Sequence, residues 1–402
     1  MATTPKSWTS SAPLLLLGIL IGLTGPADAR RPKKDRDPQP EPAPVAPAPK
    51  PVTPPIALFD APLPMTVGPM VPGLANTTAQ ACGACHFGTH GTWATSDHAL
   101  GWRDTRFTEA VRLASTPACT QCHLPFLEQS PELVTYDADD VDKPLAGANP
   151  AFDASLRLEG VTCAACHVRD GKIVGPRPPE LVGTSPHPLA WSEELTKSEG
   201  CATCHQLTWE GAKTPFYDTY GEWERSPYAK AGITCQDCHG GGGAGSTAPF
   251  DHGMPRETGR AVSVLLDLPS LTIVRGDETP VALGITLQNT GAGHAFPTGS
   301  PFTGIRVRAR IVGPPDRKGV PYEAVVLEHD LGRTLTDGPP WDVTADTRIP
   351  AGGQIELTAD LSVPYGAPEG DWALQVDLLQ TAAGVPVDAP PSLSRELPLS
   401  VE

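Results

Sequence analysis

Two unlike regions are predicted in this chain of 402 residues. Residues 56–260 read as short helices and loops wrapped around whatever their cysteines hold, and residues 261–402 as a β-sandwich. Three observations predict this. All ten cysteines lie between Cys82 and Cys238, and none stands alone. The 47 Pro and 40 Gly make up about 22% of the chain, just under the roughly 25–30% of low-complexity disorder. Beyond Ala261, apolar residues alternate with polar ones and cysteine is absent. The excess of 46 acidic over 30 basic residues, a net charge of −16, repels phosphate backbones and excludes a nucleic-acid partner.

In chain order, residues 1–29 read as an export signal. Lys6 precedes the apolar run Ala12 to Leu23, and Ala27-Asp28-Ala29 places small residues where a signal peptidase reads them. The run is about 12 residues against the roughly 20 needed to span a bilayer. The expected mature chain is not membrane-spanning and works in the periplasm or elsewhere outside the cytoplasm. Residues 30–55 hold ten prolines in 26 residues and read as a disordered, polyproline-type linker that reaches roughly 80 Å at about 3.1 Å per residue.

The cysteines form five C-x-x-C-H boxes: Cys82/Cys85/His86, Cys119/Cys122/His123, Cys163/Cys166/His167, Cys201/Cys204/His205 and Cys235/Cys238/His239. At this chain's Cys and His frequencies one such box arises by chance about 0.007 times, so five are a strong signal for c-type haem attachment. The chemistry explains the spacing. Two thiols three residues apart add to the two haem vinyl groups, and the adjacent imidazole is the proximal iron ligand. Zinc ribbons pair their C-x-x-C units about 15–20 residues apart, whereas the box histidines here are 37, 44, 38 and 34 residues apart. Disulfides would leave every box histidine unexplained, and a thioredoxin-like site needs one box among alternating strands and helices. Five covalently attached haem c groups are expected, with about 41 residues per box, too few for a conventional core. Short helices are expected at His98 to Ala114 and Trp191 to Lys197.

Six histidines remain outside the boxes as candidates for the second axial position: His90, His98, His187, His252, His294 and His329. His98 lies in Trp93-x-x-Ser96-x-His98, and Trp223-x-x-Ser226-x-Tyr228 repeats that pattern with Tyr in place of His. Gly160-Val-Thr-Cys163 and Gly232-Ile-Thr-Cys235 are a further echo. His187 and His252 lie in proline-bounded loops that present a side chain rigidly. His90, four residues after its box, reads either as a ligand or as a hydrogen-bonding neighbour of a propionate. His329 reads as a solvent-facing strand residue and Met254 as packing.

The strings C-G-A-C-H…W-A-T-S-D-H-A, G-V-T-C-A-A-C-H, S-E-G-C-A-T-C-H-Q, E-W-E-R-S-P-Y-A-K-A-G-I-T-C-Q-D-C-H and N-T-G-A-G-H-A-F-P-T-G cover most of residues 78–300. With them the chain resembles the multihaem c-type cytochromes related to the tetrahaem cytochrome of ammonia oxidisers and, more distantly, to hydroxylamine oxidoreductase. The resemblance implies bis-histidine haems in an extended stack, with distal ligands at His98, His187, His252 and His294. One departure is visible: relatives often continue the last box as C-H-M-P, whereas this chain runs Cys238-His239-Gly240-Gly241.

Six apolar runs follow Ala261: Val262 to Leu268, Val281 to Leu287, Ile305 to Ile311, Ala324 to Leu327, Ile355 to Leu361 and Trp372 to Leu379. Their period of two predicts antiparallel strands in a sandwich of roughly seven. Between two of these runs, Asn289 to Gly299 forms a loop whose glycines permit close approach. His294 there either reaches back to a haem iron or hydrogen-bonds within its own loop.

Together these features predict an exported pentahaem cytochrome that conducts electrons between redox protein partners. The rival is a multihaem oxidoreductase acting on a small nitrogen or sulfur compound at one open haem, a reading that Tyr228 and the glycines after His239 keep in view. A binding module with purely structural haems is a third reading, and five redox centres are a poor scaffold for one. No C-x-x-C-K box of the nitrite-reductase kind occurs.

Overall fold

The computed structural model describes residues 53–402, apart from 61–62, 105–106, 109–117, 138–139, 244–247 and 317. The export signal and most of the proline-rich stretch therefore lie outside the described residues. The last residues of that stretch are pinned to the fold. Trp191 Nε1 donates to the Thr53 carbonyl at 2.7 Å, and Thr53 donates through its amide and hydroxyl to Glu180. Residues 51–402 pack as one compact unit.

In the cysteine-box region four boxes each lie in one short helix, at Ala118–His123, Cys163–His167, Glu199–His205 and Cys235–His239, while the first spans the end of Ala79–Gly83 and the cap of Phe87–Trp93 at His86. Small β elements fill the gaps: the hairpin β1 (Glu132–Asp137) and β2 (Asp140–Ala148), and the three-stranded sheet β3 (Val168–Arg169), β4 (Lys172–Gly175) and β5 (Leu189–Trp191). Among the described residues three small apolar clusters lie here, the largest built on Met65, Val71, Phe126, Ala164, Ala165 and Val168. The helix expected over 98–114 is shorter. It covers Asp97–Leu100 and resumes at residues 107–108, and 109–117 lie outside the described residues. Trp191 to Lys197 is strand followed by a 3-10 turn at Glu193–Thr196.

The second half is β throughout. It comprises β6 (Val262–Asp267), β7 (Thr272–Ile273), β8 (Val281–Asn289), β9 (Thr303–Pro315), β10 (Pro321–Leu331), β11 (Arg333–Leu335), β12 (Val343–Asp346), β13 (Gln354–Leu361), β14 (Gly370–Ala382), β15 (Val385–Pro386) and β16 (Leu393–Val401). One sheet runs β10-β9-β14-β16-β7, with β15 beside β14; the other runs β13-β8-β6. Their inward residues share one core of 22 buried side chains, including Leu283, Ile285 and Leu287 from β8 and Leu374, Val376 and Leu378 from β14. Seven long strands in two sheets around one core form a β-sandwich. The outward arginines of β9 meet acids on β10: Arg306 with Asp330, Arg308 with Glu328 and Arg310 with Glu323.

His329 is half-buried rather than turned to solvent. It pairs in register with the buried Val307 and so shares its face, because the irregularity between Val325 and Leu327 shifts the alternation of β10 by one residue.

Candidate metal centres

The box helices start from polar caps that the sequence supplies. Thr78 Oγ1 accepts from the Ala81 amide at 3.2 Å. Thr234 Oγ1 accepts from the Asp237 amide, while the Asp237 carboxylate accepts from the Thr234 amide at 2.7 Å.

The two echoes in the sequence are one structural motif used twice. In the first copy Trp93 Nε1 donates to the Val161 carbonyl at 3.1 Å, and the Val161 amide donates to the His98 carbonyl at 2.9 Å. In the second copy Trp223 Nε1 donates to Ile233 at 2.9 Å, and the Ile233 amide to Tyr228 at 3.0 Å. Ser96 and Ser226, both buried, cap the short helices that follow them. Gly160 and Gly232 precede the two boxes with φ of 59° and 74°, a region that favours glycine. Each copy therefore aims a box helix from a Trp-pinned turn. In the second copy the Tyr228 hydroxyl donates to the Thr290 carbonyl, at the start of the loop that carries His294.

Histidines from distant segments meet in pairs. The ring centres of His98 and His205 are 6.2 Å apart, those of His167 and His252 6.1 Å, and those of His239 and His294 6.3 Å. Each pair joins one box histidine to one from outside the boxes. Metal–imidazole bonds are about 2.0–2.1 Å, and a ring centre lies about 1.2 Å behind its nitrogen. Two imidazoles trans on one metal thus have centres about 6.4 Å apart. The observed separations match that spacing and exceed stacking contact, since Phe107 lies flat on His123 at 3.6 Å.

The tautomers are set for ligation. Nδ1 faces a backbone carbonyl oxygen in His123 (Gly101, 3.2 Å), His167 (Val174, 2.8 Å), His252 (Phe250, 3.2 Å) and His294 (Ala295, 3.0 Å). A carbonyl only accepts, so Nδ1 carries the proton and Nε2 keeps its lone pair. Burial lowers the pKa of all six paired histidines and of His123, that of His205 to about 4, which keeps these rings neutral near pH 7. His205 is nonetheless open over more than a third of its surface.

The thiols also border open space. None of the ten cysteines is buried or in a disulfide, although free cysteine is among the most buried residue types. Thiols of different boxes touch: Cys82 with Cys163, Cys122 with Cys204 and Cys201 with Cys235. Hydrogen bonding from the partner thiol lowers Cys82 and Cys235 to about 7 and pushes the partners up. Among the described residues no cluster of three or more His, Cys, Asp or Glu side chains forms a metal site by itself. Two imidazoles at this separation, with a pair of thiols beside one of them, would suit a metal held in a macrocycle. The residues present fit haem c.

The glycines after His239 have a structural use. A Cβ on Gly240 would stand 2.6 Å from Phe250, and the Asp251 amide donates to the Gly240 carbonyl at 2.9 Å, so the chain folds back on itself and carries His252 round to His167. In the His294 loop the close approach permitted by glycine is to protein: Gly291 lies on the Arg260 backbone, and Gly293 on Trp223 and Tyr228. Of the other candidates, His90 packs on Gly83 and lies 5.6 Å from Trp93, and His187 meets the Ser185 hydroxyl at 3.0 Å. Among the described residues neither faces a box histidine as the three pairs do, and His86 and His123 have no such partner. Cys85 and His86 of the first box and Cys238 of the last are exposed. No motif announces Glu222, Asn289 and Arg348, which hold the His294 loop. Asn289 donates to the carbonyls of His294 and Ile349 at 2.8 and 3.0 Å.

Neither a family model nor a curated protein matches the chain. Among solved structures, the sporulation control protein Spo0M from Bacillus subtilis is 14% identical with a TM-score of 0.22, over 35% of this chain and 49% of that one. A beta-glucosidase from Listeria innocua is 11% identical with a TM-score of 0.21, over 39% of this chain and 18% of that one. AvmM, which catalyses macrocyclization in alchivemycin A biosynthesis, is 11% identical with a TM-score of 0.23, over 36% and 94%. The chain spans half or less of the first two. Scores this low define no shared fold. Among the described residues no helix is long and apolar enough to cross a membrane.

Proposed function

We propose that the chain is an exported pentahaem c-type cytochrome that carries electrons between redox protein partners. The observation that supports this best is the set of three imidazole pairs, each uniting a box histidine with an outside one at 6.1–6.3 Å. Bound haem would supply a one-electron iron couple at each box. The chain's residues do the rest. The ten box cysteines hold the groups by thioether bonds. His205, His167 and His239, paired with His98, His252 and His294, would hold the iron on its two sides, and His187 and His90 are the remaining candidates for His86 and His123. Carbonyls facing Nδ1 fix the ring planes and raise ligand basicity.

A second reading, an oxidoreductase with one open haem, is supported by the lack of a facing imidazole at His86 and His123 among the described residues. Intact mass and ferric EPR on the purified protein separate the two. Five haem adducts with at least four low-spin irons are expected. Two or more high-spin irons would favour the oxidoreductase, and fewer than five adducts in matured protein would sink both readings.

A further inference from the structure

We propose that Glu222 is a positioning residue that fixes the imidazole of His294 opposite His239; this rests on the ligation reading above. Glu222 lies in the helix Thr219–Glu224, between the fourth and fifth boxes, yet its carboxylate is inserted into a loop of the sandwich. Oε2 accepts from the Ala295 amide at 3.1 Å and from the Thr298 hydroxyl at 2.8 Å. The first of these donors adjoins His294, and the Ala295 carbonyl in turn receives the His294 Nδ1 proton at 3.0 Å. One residue, Ala295, thus links the carboxylate to the imidazole through its amide and its carbonyl, so the plane of the ring follows the carboxylate.

The clamp is closed from the other side. Arg348 Nη2 lies 2.7 Å from Glu222 Oε1, and the two side chains are 8% and 9% exposed. Arg348 also binds Asp346, and Arg333 donates to the Gly299 carbonyl at 2.7 Å. A carboxylate withdrawn from water in this way is costly to leave unpaired. The helix that supplies it continues into Trp223, whose indole orients the fifth box, so both sides of the His239–His294 pair hang on adjacent residues of one helix.

The test uses the full chain with its haems. Glu222→Ala is expected to raise a high-spin ferric EPR signal amounting to about one iron in five, as His294→Ala does, and the double variant to add nothing more. Glu222→Gln keeps an oxygen that accepts from Ala295 and Thr298 and is expected to stay low-spin. If Glu222→Ala melts lower but keeps its EPR spectrum, the residue merely stabilises the fold and the proposal is overturned. If His294→Ala itself leaves the spectrum unchanged, the ligation reading fails and takes this inference with it. Should Glu222→Ala not accumulate, Thr298→Val removes the hydroxyl's bonds to Glu222 and Thr219 and leaves the carboxylate in place. A shift in the low-spin g-values of one haem is then expected, and unshifted values overturn the proposal.

Discussion

Replacing Gly291 by Ala tests how closely the sandwich is docked on the cysteine-box region. The added methyl would lie 1.6 Å from the Arg260 carbonyl oxygen and 2.7 Å from its carbon, whereas non-bonded atoms rest at about 3.5 Å. The obstacle is backbone and has no rotamer to change, so the loop must move by roughly 1.5–2 Å. That movement breaks the Gly291 amide to Ala261 carbonyl bond of 3.0 Å, a loss of about 0.5–1.5 kcal/mol. Overpacking adds about 1–3 kcal/mol. A total near 3 kcal/mol corresponds to a fall of about 4 °C in melting temperature for a unit of roughly 350 residues. Gly293→Ala is the control, since its methyl would lie 3.2 Å from a Trp223 ring carbon that can shift by tenths of an ångström. Circular dichroism melts of the two variants, with ferric EPR, give the comparison. If Gly291→Ala melted within 2 °C of wild type, or if Gly293→Ala were the worse variant, the argument from close approach would be wrong.

Other outcomes follow from the same geometry. His98→Ala is expected to turn one low-spin haem high-spin and to leave the number of haem adducts in the intact mass unchanged. Trp93→Phe and Trp223→Phe should each lose about 1 kcal/mol in urea unfolding, because each removes one indole N–H from one carbonyl. Arg348→Ala should cost about 3–5 kcal/mol by the same measurement, since it leaves the Glu222 carboxylate buried without its cation. Cys163→Ser with Cys166→Ser should lower the intact mass by one haem adduct; an unchanged mass would refute attachment at the third box.

The sandwich strands were legible wherever alternation was clean, as in Ile305-Arg-Val-Arg-Ala-Arg-Ile311. β16 was not, because Leu393-Ser-Arg-Glu-Leu-Pro-Leu-Ser-Val401 contains Pro398, which argues against a strand. Proline is tolerated there because the outer neighbour, β7, pairs only with Ser400 and Val401. The small sheet β3–β5 escaped notice since its strands of two to four residues carry no period. Of the candidate centres, the boxes were plain in the sequence. The pairing of rings was not: His98 meets His205 across 107 positions, and nothing local in either segment encodes that distance. Glu222 was invisible for a related reason, as its burial depends on a loop some 70 residues downstream.

The duplicated Trp-pinned turn also carries information about time. The second copy closes over ten residues, Trp223 to Ile233, and the first over 68, Trp93 to Val161. Loop closure makes the longer one about 1.7 kcal/mol more expensive in chain entropy. The later copy therefore assembles first, as a nearly local event, and serves as the seed. The whole Cys119/Cys122 segment lies within the long loop and stays tethered but unplaced until Val161 finds Trp93.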